Sequence, residues 1–205
     1  MPKPSIEIAN EFILQLDALE VTRSKLEALL VDGRIDVDDI EHVYCGLYLE
    51  AFTSFEALLE DLFFGLLFGD LISSKTDVKL RVSINPPEIA RDILLVSKSY
   101  LEWMPYGVHT IPRANIFFQD GHPFTRLDDG DKSNLSHFHS IRNVISHKSV
   151  HARKKFEKEV IGSLTLTPGE RKPGGFLRGV FRRPPQTQYQ VAIEELKAMA
   201  MKLCE

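Results

Sequence analysis

The sequence predicts an all-α fold: a helical bundle of about five helices, with a short basic hairpin or loop before the last one. Three observations lead there. Apolar residues recur at intervals of three and four in several long segments. Clusters of Gly, Pro and Asp separate those segments. The only strand-like pattern is confined to two short stretches in a Gly/Pro-rich region near the end. At 205 residues, with no internal repeat, the chain is expected to form a single domain, 1–205, with a substantial core.

The first helix is expected from about Ser5 to Leu30. Ser5 offers an N-cap, and Ile8, Phe12, Leu16, Leu19, Leu26 and Leu30 fall near the helical repeat. Asp32-Gly33 breaks it. Asp36 or Asp38 can cap a second helix from about Asp39 to Phe68. Between Tyr44 and Phe68 that helix is apolar nearly all round, which places it at the centre of a bundle or in a subunit interface. Residues 71–85 read as a loop. Pro86-Pro87-Glu88 opens a third helix, since proline is tolerated in a first turn, and Pro105 stops it after about Met104. Residues 105–132 show little periodicity and read as irregular. Asp131 or Ser133 caps a fourth helix that runs to about Ile161. Residues 162–187 form a basic insertion rich in Gly, Pro and Arg, where Leu164-Thr165-Leu166-Thr167 and Phe176 to Phe181 can pair as a short hairpin. A last helix spans about Gln188 to Leu203.

Composition bounds the function. The chain is 43% hydrophobic and 26% charged, ordinary values for a globular protein. Two cysteines far apart, Cys45 and Cys204, argue against a disulfide framework or a zinc site. No signal peptide opens the sequence, and the apolar run Leu58 to Phe68 is too short and too acidic to span a bilayer, so a cytoplasmic location without membrane contact is expected. Net charge is −4 but unevenly spread: residues 1–70 carry 4 Lys/Arg against 15 Asp/Glu, whereas residues 148–183 carry 10 Lys/Arg against 3 Asp/Glu. A polyanion would avoid the first part and favour the second.

The most informative segment is Arg142-Asn143-Val144-Ile145-Ser146-His147. At about 100° per residue, Ile141, Val144 and Ile145 fall with Phe138 on a core face. Arg142, His139, Ser146, Asn143 and His147 fall in one arc on the other side, with Asn143 and His147 stacked a turn apart. A guanidinium, an amide and an imidazole on one face suit a phosphodiester. RNA carries its own nucleophile, the 2′-hydroxyl. Its cleavage needs a base for that proton, an acid for the leaving 5′-oxygen and positive charge for the phosphorane. Histidine titrates in the range the proton steps need. Arginine is always charged and grips phosphate with a planar fork. No cofactor or metal is required, and no cluster with convincing metal-ligand spacing is present in the sequence.

The segment resembles the Arg-x(4–6)-His motif of HEPN domains, in many of which a polar residue follows the Arg. The stretch Tyr48-Leu-Glu-Ala-Phe-Thr-Ser-Phe-Glu-Ala-Leu-Leu-Glu60 is similar to the second HEPN helix, and Leu135-Ser-His-Phe-His-Ser-Ile141 fits the approach to the motif. The resemblance covers most of residues 40–161 and is nearest to the RiboL-PSP and RNase L-like subgroup. No Tyr follows His147 closely, so the His-x-Tyr toxin subgroup matches poorly. The resemblance implies a metal-independent endoribonuclease and a homodimer whose motif helices face each other. It implies that Arg142 binds the scissile phosphate, that His147 is acid or base or orients the 2′-hydroxyl, and that Asn143 positions the phosphate. The products would be a 2′,3′-cyclic phosphate and a 5′-hydroxyl. Glu56 is a candidate to hold Arg142 by a charge-assisted pair, or else a solvent-facing helix acid; Ser146 is a further supporting candidate.

RNA contacts are expected from Lys148, Arg171, Lys172, Arg178, Arg182 and Arg183, with Phe176 and Phe181 either stacking on bases or packing on the bundle. The expectation is therefore an RNA-cleaving toxin or defence effector, restrained by an antitoxin or regulatory protein. The alternative is a non-catalytic HEPN module that binds RNA or nucleotide and dimerises.

Overall fold

The computed structural model of the chain describes residues 2–73, 75, 77–82, 84, 87–95, 99–180 and 185–205, with Pro87 and Glu88 described by their backbone alone. The fold is all-α, but it holds eight helices among the described residues rather than about five. In chain order they are α1 (Ser5–Val31), α2 (Val37–Phe68), α3 (Pro87–Leu95), α4 (Tyr106–Phe117), α5 (Asp129–Ser146), α6 (Val150–Phe156), α7 (Pro173–Arg178) and α8 (Gln188–Cys204). A two-residue parallel pair, β1 (Lys3–Pro4) with β2 (Leu71–Ile72), ties the start of α1 to the end of α2.

Each extra helix has a physical reason. α4 lies where the sequence reads as irregular because Pro112 sits inside it and withholds a backbone donor. Burial of Tyr106, Thr110, Ala114 and Phe117 on one face outweighs that loss. The expected fourth helix is split. It ends at Ser146, and Ser149 starts α6 by accepting a hydrogen bond from the Ala152 amide at 3.1 Å. A serine hydroxyl offers the backbone a local partner that competes with continued helix. A π-turn, Glu157–Ile161, follows α6. The expected hairpin is absent from the described residues: residues 173–178 form α7, with Pro173 in its first turn, and the one backbone bridge near it joins Val180 to Thr187.

α2 is the central rod. Its buried residues run from Ile40 to Leu67 and include Tyr44, Tyr48, Phe52, Phe55, Leu59 and Phe63, all fully buried. α1 and α8 pack along it, α7 crosses it near its N-terminus, and α5 packs against its middle. At the other end Phe63 meets Trp103, Phe117, Phe118 and Phe124 with ring centroids 5.2 to 5.8 Å apart. Ends are fixed by polar groups. Reciprocal capping boxes join Asp36 to Asp39, Asp128 to Asp131 and Thr187 to Gln190. Lys202 of α8 donates to both carboxylate oxygens of Asp131 at 2.8 Å, and Ser5 donates to the Cys204 carbonyl. Tyr48 donates to the Phe138 carbonyl at 2.9 Å and pins α2 to α5. Among the described residues no helix is long and apolar enough to cross a membrane.

α7 lies on α2 through glycine. A methyl group on Gly174 would stand 2.5 Å from the Glu41 carbonyl oxygen, whereas one on Gly46 of α2 would meet nothing within 4 Å. Gly174→Ala is expected to cost about 1–3 kcal/mol through overpacking against backbone. Gly46→Ala is expected to add about 0.5–1 kcal/mol by restricting the unfolded chain. Urea unfolding measures both; equal midpoints for the two variants would show that α7 does not seat on α2 this closely.

Candidate functional site

The polar face of α5 is built by the packing of its other face. Leu135, Phe138 and Ile141 are buried, which turns His139, Arg142 and Asn143 towards a half-buried strip. There the side chains form a chain of contacts. Arg142 Nη1 donates to Asn143 Oδ1 at 3.1 Å, and Asn143 Nδ2 lies 3.1 Å from His139 Nε2. At the other end Arg142 Nη2 stands 3.8 Å from Glu56 Oε2 of α2. The His139 ring stacks on Phe52, with centroids 6.3 Å apart and planes 20° apart.

The electrostatics grade along this chain. Burial pushes the Glu56 carboxyl above its usual range, and the Arg142 charge only partly opposes it. A pair 3.8 Å long, with the Arg142 side chain 29% exposed, is a loose restraint. The guanidinium therefore keeps charge to offer an incoming anion. His139 is held neutral: burial first, then the cations Lys155 and Arg142 and the neighbouring His109, lower its pKa to about 4 against the weaker pull of Glu159. Ser140, also buried, donates to Glu159 at 2.7 Å, and Lys155 stands 3.8 Å from the same carboxylate. The basic helix α6 is thereby docked beside the strip.

The candidate residues divide. Arg142, Asn143 and Glu56 are brought together. His147 is not stacked a turn from Asn143 on a continuing helix; it caps the end of α5 in extended backbone, its amide donating to the Asn143 carbonyl at 2.8 Å. Its ring is exposed and makes no hydrogen bond or ion pair with Arg142, Asn143 or Glu56 among the described residues. Ser146 and Lys148 are exposed on either side of it. Arg171 and Lys172 are exposed just before α7. Arg178 lies elsewhere, with Nε 3.0 Å from Glu27 Oε1, on an open cleft of 560 Å³ that Arg23 and Tyr44 also line. Phe176 is buried edge-to-face against Phe156, so it packs on the bundle. Arg182, Arg183 and Phe181 lie outside the described residues. The residue that sequence reasoning left out is His139. The available signal was its place in the polar arc, one turn before Asn143.

Among the described residues no group of three or more His, Cys, Asp or Glu is arranged to hold a metal ion. No family model, curated protein or solved structure matches the chain.

His139 makes stability depend on pH in a stated direction. Its ordinary pKa is 6.5 in the unfolded chain and about 4 in the fold. Between those values the unfolded chain takes up a proton that the folded one refuses. Stability is thus complete above 6.5 and falls as pH drops towards 4. The unfolding temperature of wild type is expected to fall more steeply over this window than that of His139→Gln. Parallel curves for the two proteins would contradict the placement of His139.

Proposed function

We propose that the chain is a metal-independent endoribonuclease whose site is the end of α5, acting through the 2′-hydroxyl of RNA. The observation that carries this reading is the Arg142 guanidinium, held loosely by Glu56 and contacted by Asn143, on a helix that ends at the exposed His147 and packs against the basic helix α6. Lys148, His151, Arg153 and Lys154 are all exposed, on or just before α6, which packs against α5. They supply the positive field that brings a polyanion to the guanidinium. The resemblance to HEPN domains points the same way.

On this reading Arg142 takes two phosphate oxygens with its fork and stabilises the phosphorane. Asn143 keeps the fork oriented. His147 handles a proton: as base it removes that of the 2′-hydroxyl, the 2′-oxygen attacks phosphorus, and the P–O5′ bond breaks with a proton delivered to the leaving oxygen. The products are a 2′,3′-cyclic phosphate and a 5′-hydroxyl. On this reading His147 supplies one of the two proton transfers, and its copy across a two-fold axis supplies the other. The working form is then a homodimer. We further propose a cytoplasmic toxin or defence effector, held in check by an antitoxin or regulatory protein.

A second reading has its own support: Glu56 and Asn143 already engage Arg142 within one chain. That favours a non-catalytic module that binds RNA or nucleotide and dimerises. Incubation of the purified protein with RNA in EDTA separates the two. The enzyme is expected to leave cyclic-phosphate ends, to spare an all-deoxy strand, and to lose about 100-fold or more in rate on Arg142→Ala or His147→Ala. Binding without cleavage establishes the module instead. Specific activity is also expected to drop on dilution below the dimer dissociation constant. A monomer that sediments as such and cleaves at full rate would refute the shared site.

A further inference from the structure

The hydrogen-bond directions along α5 leave one arrangement. Arginine has only donors, so the Asn143 atom facing Arg142 is the amide oxygen. The amide nitrogen then faces His139, and it too can only donate, so His139 Nε2 accepts and the ring proton sits on Nδ1. We propose that His139 is a positioning residue for the Arg142 guanidinium: by accepting from Asn143 it fixes which end of the amide the arginine sees. This rests on the reading of α5 as an RNA-cleaving site.

An asparagine amide turned by half a revolution occupies the same space with oxygen and nitrogen exchanged. Without His139, that turned state would set an amide donor against the guanidinium. The arginine would lose its neutral acceptor, and the Glu56 carboxylate 3.8 Å away would become its remaining partner. That pulls the guanidinium towards α2 and away from the strip. His139 prevents this in two ways. Its ring is stacked on Phe52 of α2, which restricts its rotation. Its surroundings also keep Nε2 unprotonated. Arg142 on the same helix, Lys155 on α6 and His109 on α4 all disfavour a charged ring, and burial adds to them; Glu159 of the π-turn pulls the other way and is shared with Ser140 and Lys155. A protonated ring would present a donor to a donor and release the amide.

The test has an arm that does not depend on catalysis. In the ¹⁵N spectrum of the full chain, His139 is expected as the Nδ1–H tautomer with an unprotonated Nε2, titrating near pH 4. The Arg142 guanidinium signals, resolved in wild type, are expected to average in His139→Leu and to return in His139→Gln, whose side-chain oxygen is an acceptor. A protonated Nε2 at neutral pH, or Arg142 signals unchanged in His139→Leu, overturns the inference. In the RNA assay His139→Leu is expected to lower kcat by about 10- to 100-fold with little change in KM, and His139→Gln to recover part of it. Wild-type kcat in His139→Leu overturns the inference while leaving the nuclease intact. A wild type that cleaves no RNA ends the nuclease reading, and the Arg142 signals then still decide the role of His139.

Discussion

The burial of most of the surface of α2 is the constraint from which the rest of this structure follows. With Tyr44, Tyr48, Phe52, Phe55, Leu59 and Phe63 all fully buried, beyond the first turn only a narrow stripe through His42, Gly46, Glu50, Thr53, Ala57 and Asp61 is left to water. The rest of the helix must be covered by α1 and α8 along its length, by α7 near its start, by α5 at its middle and by the aromatic group around Phe63 at its end. Two of the coverings, α7 and α4, are short or irregular pieces that would not be stable alone. α7 is six residues long and is seated against the Glu41 backbone by Gly174. α4 carries an internal proline. Such pieces persist because the apolar surface they cover is worth more than the local cost of forming them.

The same constraint sets the electrostatics of the candidate site. Glu56 is an acid on a helix with little exposed surface, so burial raises its carboxyl even with an arginine nearby. The pair is a compromise in which neither charge is well neutralised. Across the strip the balance runs the other way: His139, on Phe52 and among cations, stays neutral. A cation thus sits between an acid it pairs with loosely and an amide whose orientation a neutral imidazole selects. The ordering comes from hydrogen-bond direction, because the ion pair alone is too long to hold a guanidinium in one pose.

Long, strongly periodic segments were legible from the residues. α1, α2 and α8 run within a few residues of the spans their spacing implies, and Asp36 does cap α2. What stayed hidden is local competition. Pro112 masks the buried face of α4, and Ser149 ends what would otherwise be one long helix. In residues 173–178 the glycines that read as loop are what close approach demands. At the site, Arg142, Asn143 and Glu56 all stood out in the sequence, but only the packing of α2 on α5 decides that Glu56 faces Arg142 rather than solvent. His139 stood in the polar arc without a role, because the Arg-to-His motif drew attention to His147. Once α5 stops at Ser146, the histidine one turn back is the partner that remains.

The uneven charge of the chain takes its meaning from which charges are paired. Several acids of the N-terminal part are bound to cations from distant elements: Asp17 to Lys197, Glu27 to Arg178, and Glu56 to Arg142. These contacts join α1 and α2 to α8, α7 and α5, so part of the negative charge serves cohesion. The cations of the other part are different. Lys148, Arg153, Lys154, Arg171 and Lys172 are exposed and form no ion pair among the described residues. Unpaired surface cations are the groups that can displace the cations condensed along a polyanion, and that release is the salt-dependent source of affinity for such a ligand. A chain of net charge −4 can thus present a locally positive face. Of these cations, Lys148 precedes α6 and Arg153 and Lys154 lie on it, and α6 packs against α5, the helix that carries the half-buried Arg142.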